Sequence, residues 1–178
     1  MACFMKKIDE TSPLRLRPIA LEDEAAVRAA TRELAAEGFT FTFGLDTASS
    51  FADYLASLEE RRQGRNLAGA VPETFLLAEV DGQIVGRLSL RHALNDQLRT
   101  NGGHIGFGVL RAYRRRGYAS EILRQALILA LDLGLERVLL TCNETNTGSR
   151  RVIESQGGVF SGHSPADPTK RLYWIALA

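Results

Sequence analysis

The residue types best suited to chemistry stand together in residues 103–119, which hold His104, four glycines (Gly103, Gly106, Gly108, Gly117) and four arginines (Arg111, Arg114, Arg115, Arg116). Residues 104–110 read as a strand and 111–116 as a tight basic turn. A helix opens near Gly117. Its apolar positions Ala119, Ile122, Leu123, Ala126, Leu127, Ala130 and Leu133 step by three or four residues and share one face. The first turn of a helix carries backbone N–H groups without intrahelical partners, and the helix dipole favours an anion there. With Gly117 allowing close backbone approach and Arg114, Arg115 and Arg116 adding charge, the turn suits a phosphate or pyrophosphate. The other reading is a solvated basic corner with an ordinary turn glycine. The spacing is not that of a P-loop, because no Gly-Lys-Ser/Thr follows, and no Gly-x-Gly-x-x-Gly stands at this turn.

Arg114-x-x-Gly117-x-Ala119, preceded by Val109 and Tyr113, resembles the acyl-CoA pyrophosphate signature of the GNAT superfamily of N-acetyltransferases. Downstream, Asn146, Ser149, Ile153, Glu154 and Gly157 resemble that superfamily's Asn-x-x-Ala-x-x-x-Tyr-Glu-x-x-Gly. The two motifs stand in the superfamily's order and at its usual separation. The resemblance covers residues 73–160 well and the first 70 residues only in element order.

The elements that must position these residues read as follows. Residues 1–12 read as a tail, 14–19 as a short strand limited by Pro18, and 22–37 as an amphipathic helix stopped by Gly38. Phe39, Phe41 and Phe43 alternate in an extended segment, either plugging the core or lining an acceptor pocket. A second helix, capped by Ser49 or Ser50, runs to about Gln63. Strands at 74–80 and 83–91 flank the Asp81-Gly82 hairpin turn. Residues 92–102 form a polar loop, either a substrate cover or a plain connection. Gly134 ends the central helix, 137–142 is a mostly apolar strand, and 146–156 is a last helix closed by Gly157 and Gly158. Strands beginning at 159 and spanning 172–177 finish the chain. The fold class is a single α/β domain over 1–178, with the order β-α-α-β-β-β-α-β-α-β-β. The resemblance further implies a mixed, mostly antiparallel central sheet flanked by helices.

The resemblance implies acyl transfer from acetyl-CoA to a primary amine of a small molecule or protein, by direct attack through a tetrahedral intermediate. By the same resemblance the pantetheine arm follows Phe107, Val109 and Leu110. The turn Arg114, Arg115, Arg116, Gly117, Tyr118 and Ala119 takes the phosphates, and Asn146 contacts CoA. The developing oxyanion needs preorganised donors, which strand N–H groups near Val109 could supply. His104 stands near the place where many members carry a glutamate. Its ordinary pKa of roughly 6.5 suits a general base, the alternative being a structural or solvated histidine. Ile153 departs from the pattern, since the superfamily often has an acidic tyrosine there. The general acid is thus unassigned, with Tyr118, Tyr173, Cys142 and a water as candidates. That departure also keeps open a second class, a catalytically weak acyl-CoA-binding sensor or interaction domain.

A net charge of +1 argues against nucleic acid and membrane surfaces as partners, and no apolar run approaches the roughly 20 residues of a membrane span. Cys3 and Cys142 suggest no disulfide framework, and Cys142 reads as a buried strand residue. A cytoplasmic location and no metal follow as expectations. The acceptor amine and the acyl chain length are not legible, and the oligomeric state is open, a homodimer included.

Overall fold

The computed structural model describes residues 13–177; the 1–12 tail and Cys3 lie outside them. Strand β1 is Leu14–Arg17, ending where Pro18 lacks an N–H for the ladder. Helix α1, Glu24–Ala35, follows a 3-10 turn at Leu21–Asp23. Asp23 accepts two hydrogen bonds from Arg17, at 2.6 and 2.8 Å, and one from the Ala20 N–H. Helix α2, Phe51–Arg62, is capped by the Ser50 hydroxyl, which accepts from the Asp53 N–H. Strands β2, Glu73–Val80, and β3, Gln83–Arg91, are joined through Asp81 and Gly82, both at positive φ. The 92–102 segment is more than a loop. It contains a short helix α3, Asp96–Thr100, whose cap is the Asn95 side chain accepting from the Leu98 N–H at 2.9 Å. Strand β4, Ile105–Val109, leads through a 3-10 turn to helix α4, Tyr118–Asp132. Strand β5, Arg137–Asn143, helix α5, Thr147–Ser155, and strands β6, Val159–His163, and β7, Lys170–Ala176, complete the chain.

The strands form two antiparallel sheets, β1-β2-β3-β4 and β5-β7-β6. One face of the larger sheet packs against α4. There Leu16, Ala78, Leu88, Leu90 and Ile105 meet Ile122, Leu123 and Ala126 in a core that continues to Val138, Leu140 and Tyr173 of the smaller sheet. The opposite face lies under α1 and α2, where Phe75 and Leu77 meet Val27, Leu34, Phe51 and Tyr54. The alternation of β2 divides its side chains between the two cores, as a strand covered on both faces requires.

The 39–43 segment is not a strand and finds no strand partner. Its phenylalanines part company: Phe41 is fully buried in the second core, while Phe39 and Phe43 are half-buried at its edge. Among the described residues no helix is long and apolar enough to cross a membrane.

Candidate active site

The two sheets join backbone to backbone at the start of β4. There the His104 N–H donates to Leu139 O at 2.7 Å, and Gly103 bridges to Leu140. Gly103 has a φ of 65°, and a Cβ on it would collide with the Leu139 carbonyl, so the approach of the sheets depends on a residue without a side chain. Beyond this point β4 and β5 separate. The Leu110 N–H donates to Val85 O and the Arg91 N–H to His104 O. In an antiparallel ladder alternate residues turn their backbone groups to opposite sides. That leaves the N–H groups of Phe107 and Val109 facing the gap.

The gap opens into a cleft of about 640 Å³ lined by Phe107, Gly108 and Val109 of β4, the first turns of α4 and α5, and Phe39. The turn into α4 places Arg115 at φ 61° and Gly117 at φ 82°. Gly117 is the N-cap and no side chain caps the helix. The free N–H groups at its start therefore face the cleft at Tyr118, Ala119 and Ser120, an arrangement that favours anions. Asn146 caps α5 by accepting from the Ser149 N–H at 3.0 Å and lines the cleft as well.

Of the residues singled out in the sequence, Phe107, Val109, Arg114, Arg115, Gly117, Tyr118, Ala119 and Asn146 line this cleft together. Leu110 and Arg116 do not. The Leu110 N–H is bonded to Val85 O and its side chain packs toward the second core, while the Arg116 guanidinium lies 5.7 Å from the Tyr113 ring centre. Arg114 is not a free cation. Its Nη2 donates to Glu37 at 2.5 Å and its Nε to Val109 O at 3.0 Å, while Arg111 holds the other side of the same carboxylate. The two arginines keep Glu37 below the usual carboxylate range.

His104 stands outside the cleft lining. It is buried, and its Nδ1 accepts from the Leu139 N–H at 2.9 Å, which puts the proton of the neutral ring on Nε2. Burial first, then Arg99 and Arg91, push its pKa down to about 4. Ile153 is sealed in the core, 1% exposed, against Gly158. Of the candidate acids, only Tyr118 lines the cleft. Tyr173 Oη is held between Glu154 and Arg171, each at 2.9 Å, and burial pushes the Cys142 thiol up.

Sequence reasoning missed the other face of β4. Register places Gly108 opposite Arg87, and Gly106 opposite Ser89. The same face carries Glu73, paired with Arg91. The period-two pattern Arg87, Ser89, Arg91 between Leu88 and Leu90 is the available signal, and by itself it reads as a solvent face. Here α1 and α2 cover it. The Arg87 guanidinium lies 4.7 Å from the Phe39 ring centre, 5.6 Å from that of Phe43 and 5.7 Å from that of Phe75. It donates to Gly106 O at 3.0 Å and Thr40 O at 2.7 Å. Glu73 accepts from Ser89 Oγ and faces Arg61 at 3.4 Å and Arg91 at 3.9 Å.

The model of the acetyltransferase (GNAT) family matches residues 26–157. The fold is similar to that of YncA from Salmonella typhimurium, solved with acetyl-CoA, at 16% identity and a TM-score of 0.63, covering 94% of this chain and 95% of that one. It is similar to Mycobacterium smegmatis RimJ, solved with CoA-disulfide, at 22% identity and a TM-score of 0.67, covering 92% and 81%. A spermidine N-acetyltransferase from Vibrio cholerae, solved with CoA and spermine, gives 17% identity and a TM-score of 0.64, covering 93% and 96%. No curated protein matches the sequence.

Proposed function

Because this chain belongs to the GNAT acetyltransferase family, we propose that it transfers an acetyl group from acetyl-CoA to a primary amine of a small molecule or protein. The observation that carries the reading is the gap between β4 and β5, with an uncapped helix start at one end and free strand amides along one wall. In this reading the α4 start and the turn at Arg115 and Gly117 hold the phosphates. The Phe107 and Val109 backbone pairs with the pantetheine amides, and Asn146 borders the arm from α5. Acetyl-CoA supplies an activated thioester: the amine nitrogen forms the C–N bond to give a tetrahedral oxyanion, and the C–S bond then breaks as the carbonyl reforms and the thiolate departs. The Val109 N–H is the donor nearest in kind to what the developing oxyanion needs.

The base role expected of His104 finds little support in its geometry. Its one lone pair already accepts from Leu139, and a pKa of about 4 makes it a weak proton acceptor near neutrality. We assign it instead to positioning, holding the start of β4 on β5. Proton removal from the amine then passes to water in the cleft. For the thiolate, Tyr118 is the candidate acid that lines the cleft.

Calorimetric titration with acetyl-CoA tests the reading. Micromolar binding is expected, and Gly117→Val should weaken it by about 10-fold or more. A valine at this positive φ costs on the order of 1–2 kcal/mol and crowds the anion site. Absence of binding by the wild type would remove the proposal. A buried Ile153 in the tyrosine position favours a second reading, a weakly catalytic acyl-CoA sensor. Binding without thiol release across a broad amine panel would select it.

A further inference from the structure

The covered face of β4 holds more positive charge than its own partners neutralise. Three guanidiniums, of Arg61, Arg87 and Arg91, share one carboxylate, Glu73. Arg87 is 3% exposed, and its hydrogen-bond acceptors are two carbonyl oxygens, which satisfy N–H groups without cancelling the charge. Its Nε has no partner, and neither does the hydroxyl of Tyr54, which is fully buried and lies in the field of Arg61, Glu73 and Arg87. Unpaired buried donors of this kind are rare in folded proteins and call for an explanation. Burial pulls the Arg87 pKa down to about 10, which leaves the group charged at neutral pH.

A cradle lies beside them. Gly106 is half-exposed, and a Cβ built on it would stand 3.3 Å from Arg87 Nη1 and 4.0 Å from Arg91 Nη1. A side chain there would press on Arg87 Nη1, so the glycine leaves the two guanidiniums open to the half-exposed strand face. Gly106 and Gly108 share this face, about 7 Å apart along the strand, and Phe39 covers Gly108 while also lining the cleft. The cradle is thus one strand repeat from the wall on which the acyl donor is placed.

We propose that the floor at Gly106, flanked by Arg87 and Arg91 with the Tyr54 hydroxyl in the field of Arg87, receives the anionic group of an acidic amine, a carboxylate, phosphonate or phosphate, and so sets acceptor specificity. The inference rests on the acetyltransferase reading above. The short span between floor and cleft suits a compact acceptor with only a few bonds between acid and amine.

The test pairs amines of one skeleton. β-Alanine, 4-aminobutyrate and 2-aminoethylphosphonate are compared with β-alanine amide, ethanolamine and 1,3-diaminopropane, by thiol release from acetyl-CoA and by calorimetry with acetyl-CoA. At least one acidic amine should exceed its neutral twin in kcat/KM by about 10-fold or more, the range of a hydrogen bond to a charged group. Its carboxylate or phosphonate form then identifies the acid. Tyr54→Phe, which removes only an unpartnered hydroxyl, and Gly106→Ala, which fills the cradle, should each raise KM for that amine by about 10-fold. Acetyl-CoA affinity should stay within about twofold. These variants avoid Arg87→Met, which would loosen the 39–43 segment. Equal or better turnover of the neutral or cationic twins, no turnover of any amine, or an acid preference untouched by both variants would overturn this proposal while acetyl-CoA binding stands. Absence of acetyl-CoA binding would instead bring down the transferase reading and this inference with it.

Discussion

At the scale of single residues, His104 separates positioning from proton transfer. Its ring accepts the Leu139 N–H, meets Trp174 edge-on at 6.3 Å between centres, and faces Arg91 and Arg99. A folded pKa near 4 lies below the ordinary value of about 6.5, so the native state prefers the neutral ring. The stability this contributes is complete above about pH 6.5 and is lost as pH falls toward 4. His104→Asn offers an amide oxygen in place of Nδ1 and does not titrate. Urea unfolding should show the wild type losing on the order of 2 kcal/mol more than this variant between pH 7 and 4.5. The variant should keep its acetylation rate within about threefold, whereas a loss of about 100-fold would mark His104 as the base. Some roles were legible because their chemistry is local. A glycine after three arginines at a helix start, and an asparagine three residues before a serine, encode a left-handed cap and a side-chain cap without tertiary help. The placement of His104 depends on a strand 35 residues away and was not legible.

At the scale of elements, the site is a failure of two strands to pair. The sequence shows both strands, since β4 and β5 carry clear apolar patterns, but not the break between them. The break depends on where Gly103 lets the backbones touch and where they part. Gly103→Ala should force the start of β4 away from Leu139, through both the collision and the positive φ. A loss on the order of 2 kcal/mol, a fall of about 4–8 °C in Tm, is expected by calorimetric melting. Weaker acetyl-CoA binding should accompany it, because the mouth of the gap changes width. Helix α3 was hidden by its length, five residues in a polar run, although Asn95 followed by Asp96 is a start signal in retrospect. The 39–43 segment, read as extended from its alternation, pairs with no strand. Period two reports a strand only where a neighbour supplies hydrogen bonds, and here Arg87 binds the segment through the Thr40 carbonyl instead.

At the scale of the whole molecule, two cores lie on opposite faces of one sheet, and the smaller sheet joins only the α4 core. The order of elements was readable because each helix and strand bounds itself with glycine, proline or a cap. The split into two sheets was not, since pairing is a relation between distant segments. A ligand seated in the gap would touch both sheets at once. Acetyl-CoA at about 100 times its Kd should raise the unfolding free energy by about 2.7 kcal/mol, or roughly 5–10 °C in Tm by scanning fluorimetry. The gap also has a meaning for proteostasis. Strand β4 ends its sheet with amides that no neighbour among the described residues takes, and unpaired strand edges are where chains adhere to one another. The protein is in this sense one strand short until a ligand's own amides fill the place. Its resistance to heat-induced aggregation should then track the supply of acetyl-CoA, so that a bound metabolite would act as a chaperone for this chain.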